Sequence, residues 1–147
     1  MSRDIKFRIY DTDEKEMFYQ EDIDYIDFFT GIVFIREEDG YDYLIDSRSD
    51  GKLMQYTGFK DAKGKEIYEG DILHVTKVSM CGVDKYNVAE YNTDVKWEDG
   101  AFVIKGDADV ECYDTWLAAY NNPDSPQIEI EVIGNIYDNP ELLRSEE

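Results

Sequence analysis

The only histidine, His74, is the one position around which an imidazole-based zinc site or a Ser-His-Asp arrangement could be assembled. It stands between Leu73 and Val75 in an aliphatic run, where alternation makes it a strand residue facing water or a neighbouring side chain. Asp107, Asp109 and Glu111 alternate and would share one strand face, offering oxygens to a hard cation such as calcium or magnesium. The helix-loop-helix calcium pattern is not their frame. Its glycine position would be Cys112 and its glutamate position Ala118, so a solvated acidic edge is the favoured reading, and cation binding at these three residues stays open. Gly58-Phe59-Lys60-Asp61-Ala62-Lys63-Gly64-Lys65-Glu66 has the look of a phosphate-binding loop, but five residues separate its glycines instead of the motif's four. Glu66 also replaces the metal-holding Ser or Thr, and a strand follows where a helix N-terminus is needed, so a hairpin turn is expected.

Cys81 and Cys112 lack C-x-x-C spacing and read as thiols kept reduced in a cytosol. Among 35 acidic residues, which include the run Glu37-Glu38-Asp39, no pair can be singled out for acid-base work. No catalytic residue, cofactor or metal ligand set is therefore assigned, and the sequence points away from an enzyme.

Whole-chain charge excludes more than any motif does. Fifteen Lys and Arg against 35 Asp and Glu give a formal charge of −20, which repels phosphate backbones and anionic lipid surfaces. No stretch concentrates enough cations to neutralise several phosphates, so direct nucleic-acid binding is not expected. No apolar run approaches the ~18 residues that span a bilayer, and the start of the chain leads straight into alternating residues, so neither secretion nor membrane anchoring is implied. The expected compartment is the cytoplasm. With 12 Tyr, 7 Phe and 2 Trp in 147 residues, the chain has the core-forming side chains to fold despite its charge.

The elements that must carry these residues are strands. Ile5, Phe7 and Ile9 alternate with Lys6 and Arg8 as a half-buried strand, and Met17-Phe18-Tyr19 returns after the polar turn 11–16. Residues 22–27 alternate weakly through Ile23 and Tyr25, and 28–35 reads as strand, Gly31 turn, strand. The acid run and the polar stretch around a short 41–45 segment place a seam between two β subdomains, 1–50 and 51–147. Beyond it come a strand at 53–58, turns at 60–65 and 66–71, a β-branched strand at 72–78, further strands at 86–91, 95–97 and 101–104, and an Asp99-Gly100 hairpin turn. Tyr113, Trp116, Leu117 and Tyr120 fall at helical spacing, predicting a short amphipathic helix over 114–120 that Pro123 and Pro126 end. Ile128, Ile130 and Val132 form a last strand, and Asn139-Pro140 opens one helical turn. The expected fold is mainly β, a small barrel or sandwich-like architecture with one or two short helices.

Three blocks carry a resemblance: Ile5-Lys6-Phe7-Arg8, the segment from Leu53 through Gly58, Lys60-Asp61 and Gly64 to Ile72, and Glu131-Val132-Ile133-Gly134-Asn135-Ile136-Tyr137-Asp138-Asn139-Pro140 with Glu141 to Leu143. In this order, framing nearly the whole chain, they resemble the YopX family. The resemblance implies a phage or prophage origin and brings no catalytic residue with it. The blocks read as folding determinants, with Gly, Asp and Asn at turns and Ile and Tyr in strands. The rival reading makes Tyr56, Tyr68 and Tyr137 a shared binding surface.

Two functions of different class follow. The first is an accessory protein that binds a host or phage protein in the bacterial cytoplasm, with homo-oligomerisation as a further arrangement. The alternative is an acidic nucleic-acid mimic that inhibits a host DNA-binding protein, its carboxylates imitating phosphates. A metal-dependent enzyme around 107–111 stands behind both.

Overall fold

Apolar residues at every second position dictate strands, and strands dominate. A computed structural model describes residues 4–82, 85–106, 115–120 and 128–143. The chain is mainly β, of the barrel- or sandwich-like class expected, and divides into two compact units, Met1–Tyr56 and Thr57–Glu147.

In the first unit, β1 (Phe7–Asp11) and β2 (Glu16–Phe18) form the expected hairpin, pairing Ile9 with Phe18 and Asp11 with Glu16. On its other side β1 pairs with β6 (Gly51–Lys60), from Phe7 opposite Gln55 to Asp11 opposite Gly51. A 3-10 turn at Gln20–Asp22 leads into a separate antiparallel sheet of β3 (Ile23–Asp27), β4 (Ile32–Arg36) and β5 (Asp42–Asp46). Ile9, Ile23, Val33, Ile35 and Ile45 are buried together as the core of this unit, each removed from water at a gain of about 1.5–3 kcal/mol. Gly51 lies flat against them. A Cβ there would stand 2.5 Å from Ile45 Cγ2 and 2.9 Å from Ile9 Cδ1, so the close approach requires glycine.

Three sequence expectations are corrected here. β1 is not half-buried: Arg8 is 2% exposed, and Tyr10 and Asp11 are buried as well, while Ile5 lies in water. The Arg8 guanidinium sits 5.9 Å from the centre of the Tyr19 ring, a contact that offsets part of the cost of its burial. Phe28 and Phe29 are not strand residues. Asp27 Oδ1 accepts the Phe29 N–H at 3.0 Å and the Thr30 N–H at 3.3 Å, and Gly31 at φ 81° completes the turn. Ile23 and Tyr25 do not share a face either, because a bulge between them leaves Asp24 as an extra residue opposite β4.

The second unit holds β7 (Glu66–Tyr68), β8 (Asp71–Gly82), β9 (Lys85–Glu98), β10 (Ala101–Ile104), β11 (Thr115–Trp116), a one-turn helix α1 (Leu117–Tyr120), β12 (Ile128–Asn135) and a 3-10 turn at Pro140–Leu143. Five of these strands form an antiparallel sheet in the order β11-β10-β9-β8-β12. Its core gathers Leu73, Val75, Val95, Ile104, Leu117 and Ile130. The Asp99-Gly100 step adopts the left-handed conformation a tight hairpin needs, at φ 51° and 83°. Boundaries differ from expectation in three places, the first being that the strands expected at 86–91 and 95–97 are one strand, β9. Glu66–Tyr68 is a short strand instead of part of a turn. Thr115 and Trp116 pair with Ile104 and Val103, so the sheet ladder takes the start of the predicted helix and only Leu117–Tyr120 is helical; Tyr113, Asp114, Pro123 and Pro126 lie outside the described residues.

Candidate functional site

The residues first singled out for chemistry, where they are described, are engaged in contacts that join elements of the fold. His74 Nδ1 donates to Asn92 Oδ1 at 2.8 Å, the Asn92 amide donates to the Leu142 carbonyl at 2.9 Å, and Glu90 lies 3.5 Å from His74 Nε2. This chain of contacts ties β8, β9 and the Pro140–Leu143 turn together. Asp61 fills the loop that resembled a phosphate site. Its Oδ1 accepts the Lys63 and Lys65 N–H groups at 2.9 and 2.8 Å, so the chain's own carboxylate takes the amides an anion would need. Its Oδ2 accepts the Val132 N–H at 2.9 Å, while Ala62 N–H donates to the Ile130 carbonyl at 3.0 Å and Lys63 pairs with Glu131 at 2.7 Å. The turn thus caps the outer edge of β12. Tyr56 and Tyr68 are buried, so the shared tyrosine surface is not formed. Asp107, Asp109, Glu111, Cys112 and the Cys81 side chain lie outside the described residues.

An open pocket of about 270 Å3 is lined by Glu98, Val103, Lys105, Thr115 and Trp116. Lys105 Nζ donates to Glu98 Oε2 at 2.8 Å across it, so its two charges are matched within the chain.

The least expected surface is the outward face of the β3–β4–β5 sheet. Alternation sends Val33, Ile35 and Ile45 into the core and turns Ile32, Phe34, Arg36 and Leu44 outward. The bulge adds Asp24 and Tyr25 to the same outward side. Cross-strand register then lines up three rows. Tyr25, Phe34 and Leu44 form the middle row, with the Tyr25 and Phe34 rings stacked at 4.1 Å and 17°. Tyr25 and Leu44 are each 52% exposed. Asp24, Arg36 and Asp42 flank them at one end, with Arg36 Nη2 3.4 Å from Asp24 Oδ1. Asp27, Ile32 and Asp46 flank the other end. Beyond that row the turn raises Phe28 and Phe29 into water, Phe29 at 90% exposure.

The flanking carboxylates are differently placed. Partial desolvation raises the Asp42 carboxyl above the usual value, the hydrogen bond and charge of Asp24 push the same way, and Arg36 opposes. Hydrogen bonds from the Thr30 backbone and side chain lower the Asp27 carboxyl, aided by the Phe29 N–H and the charge of Arg48. Each end keeps two carboxylates to one guanidinium, Arg36 at one and Arg48 at the other. No residue of this face other than Tyr25 entered the sequence argument for its own sake. The run Ile32-Val33-Phe34-Ile35 is apolar on both faces, which hides its outward side; the turn formers Asp27, Thr30 and Gly31 around Phe28 and Phe29 are the one signal of aromatics held out in solvent, and the strand reading of 28–35 passes over it.

Comparison with other proteins places the fold. The chain is similar to protein EF1440 from Enterococcus faecalis, whose crystal structure superposes with a TM-score of 0.59 at 26% identity, over 97% of this chain and 100% of that one. It is likewise similar in fold to protein yopX from Bacillus subtilis, with a TM-score of 0.55 and 24% identity over 95% and 98% of the two chains. No curated protein matches it. Among the described residues no helix is long and apolar enough to cross a membrane. The family model described as YopX protein matches residues 6–144, and the chain belongs to the YopX family.

Proposed function

We propose that the chain is a phage or prophage accessory protein that acts in the bacterial cytoplasm by binding another protein, through the outward face of the β3–β4–β5 sheet. The observation that carries this reading is the row Tyr25, Phe34 and Leu44, a stacked ring pair and a leucine left half in water on a regular sheet. Contiguous exposed apolar patches on soluble proteins mark interaction sites, and aromatic anchors dominate protein interfaces. Family membership supports the phage or prophage origin. The nucleic-acid mimic draws on the −20 charge, but on this face the carboxylates stand on either side of an apolar row instead of in an unbroken line. That arrangement favours a mixed apolar and ionic contact.

The test is capture of host-cell proteins on the tagged chain at low and high salt, with Tyr25→Ser combined with Leu44→Ser as the comparison. A partner held at high salt and lost with the double variant supports the reading. Equal capture by both chains rejects this face, and a DNA-binding partner that is released by salt and gives up its DNA to the chain favours the mimic.

A further inference from the structure

We infer that this face receives a basic amphipathic helix of the partner, lying across the three strands with its apolar stripe on Tyr25, Phe34 and Leu44 and cations on both sides of the stripe. The inference rests on the reading above and adds the chemistry of the occupant. Neighbouring strands are ~4.8 Å apart, so the row from β3 to β5 spans roughly 10 Å. A helix rises ~1.5 Å per residue, so apolar side chains at i, i+3 or i+4, and i+7 cover about the same length. On β4 and β5 the flanking residues lie two along the strand from the middle row in each direction, ~7 Å away, as Asp27 does on β3, while the bulge sets Asp24 next to Tyr25 with its carboxylate 3.4 Å from Arg36. They fall beneath the two shoulders of a helix about 10 Å across.

Charge fixes the sign of those shoulders. At one end Asp24 and Asp42 share the single guanidinium of Arg36; at the other, Asp27 and Asp46 have Arg48, whose Nη2 donates to the Phe29 carbonyl at 2.9 Å. Each flank therefore keeps one excess negative charge beside a desolvating apolar row. A lysine or arginine on each side of the incoming stripe completes both. The raised Asp42 carboxyl is consistent with a site short of one cation. A second copy of this chain is the poorer occupant, since it would bring the same excess negative charge and a total of −20 to the contact.

The probe is a fluorescein-labelled synthetic helix of about 18 residues with leucines at i, i+3, i+4 and i+7 and lysines on both sides, set against the same peptide with glutamates for lysines. Fluorescence anisotropy against the full chain is expected to show binding of the lysine peptide alone. Tyr25→Ser or Leu44→Ser should weaken it about tenfold, and Asp24→Asn with Asp42→Asn should weaken it similarly and flatten its salt dependence. Glu14→Gln with Glu16→Gln makes the same charge change at exposed positions on the β1–β2 turn and should leave the affinity within about twofold. Each variant is first checked for an unchanged melting transition. Equal binding of the glutamate peptide, or equal weakening by the Glu14 and Glu16 changes, overturns the inference, because attraction would then be unspecific or absent. If a captured partner depends on Tyr25 and Leu44 but ignores the Asp24 and Asp42 changes, the helix chemistry fails while the binding face stands. If it depends on neither pair, both fail.

Discussion

Asp11 is only 1% exposed, yet both its oxygens are used: Oδ1 accepts the Asp13 N–H at 3.0 Å and the Glu14 N–H at 3.3 Å, and Oδ2 accepts the Tyr43 hydroxyl at 2.6 Å. The carboxylate shapes the β1–β2 turn and anchors β5 through one phenol. That hydrogen bond is the main reason the Tyr43 phenol is pushed up to about 12, with desolvation and the charge of Asp11 adding to it. The phenol is an acid whose folded-state pKa lies above its unfolded value near 10, so the folded chain holds the proton more tightly. Its contribution is complete below pH ~10 and is lost as pH rises through about 12. Tyr43→Phe is expected to cost about 1.5–3 kcal/mol at neutral pH, as loss of a hydrogen bond to a charged group does. Urea denaturation at a series of pH values checks this: the difference between wild type and variant should shrink above pH ~10, and a constant difference would detach the stabilisation from the phenol proton.

At the scale of elements, the family blocks act as edge and turn hardware, and Asp61 shows it most sharply. Its two oxygens face different donors, Lys63 and Lys65 on one side and Val132 on the other. An asparagine amide has one acceptor oxygen, so either orientation points its NH2 group at backbone N–H groups. Asp61→Asn is therefore expected to destabilise by roughly 3 kcal/mol, nearly as much as Asp61→Ala, with hydrogen exchange at Val132 accelerating in both. A near-neutral Asp61→Asn would show that the turn does not hold the β12 edge. Such elements were legible where local chemistry decides them. Ile128, Ile130 and Val132 announced β12, and Asp99-Gly100 announced its hairpin. Phe28 and Phe29 misled because a turn built by a preceding Asp outranks β propensity, and β1 misled because Arg8 and Asp11 are buried with partners that sequence does not name. The apolar row escaped notice for a related reason: its alignment depends on the β3 bulge and on register across three strands, neither of which any one segment encodes.

At the scale of the whole molecule, an excess of 20 negative charges repels itself in the folded state more than in the expanded unfolded chain. Opposing that are a few ion pairs, of which Lys63 with Glu131 at 2.7 Å and Lys105 with Glu98 at 2.8 Å are both substantially solvated and contribute about 0–1 kcal/mol each. The hydrogen bond and charge of Glu131 raise the Lys63 pKa, so the ammonium stays charged at neutral pH, but salt screens the pair as it screens the repulsion. Long-range repulsion among many like charges loses more to screening than two short contacts do, because most of its terms act beyond a Debye length of ~10 Å at 0.1 M salt. Raising sodium chloride from about 0.01 to 0.3 M should therefore lift the melting temperature by roughly 3 °C, the shift that about 1 kcal/mol makes in a chain of this size. Calorimetry over that range is the measurement. A melting temperature that falls with salt would mean that the ion pairs outweigh the repulsion, and the excess carboxylates would then be held in stabilising local arrangements instead of forming the uncompensated field that a basic helix relieves.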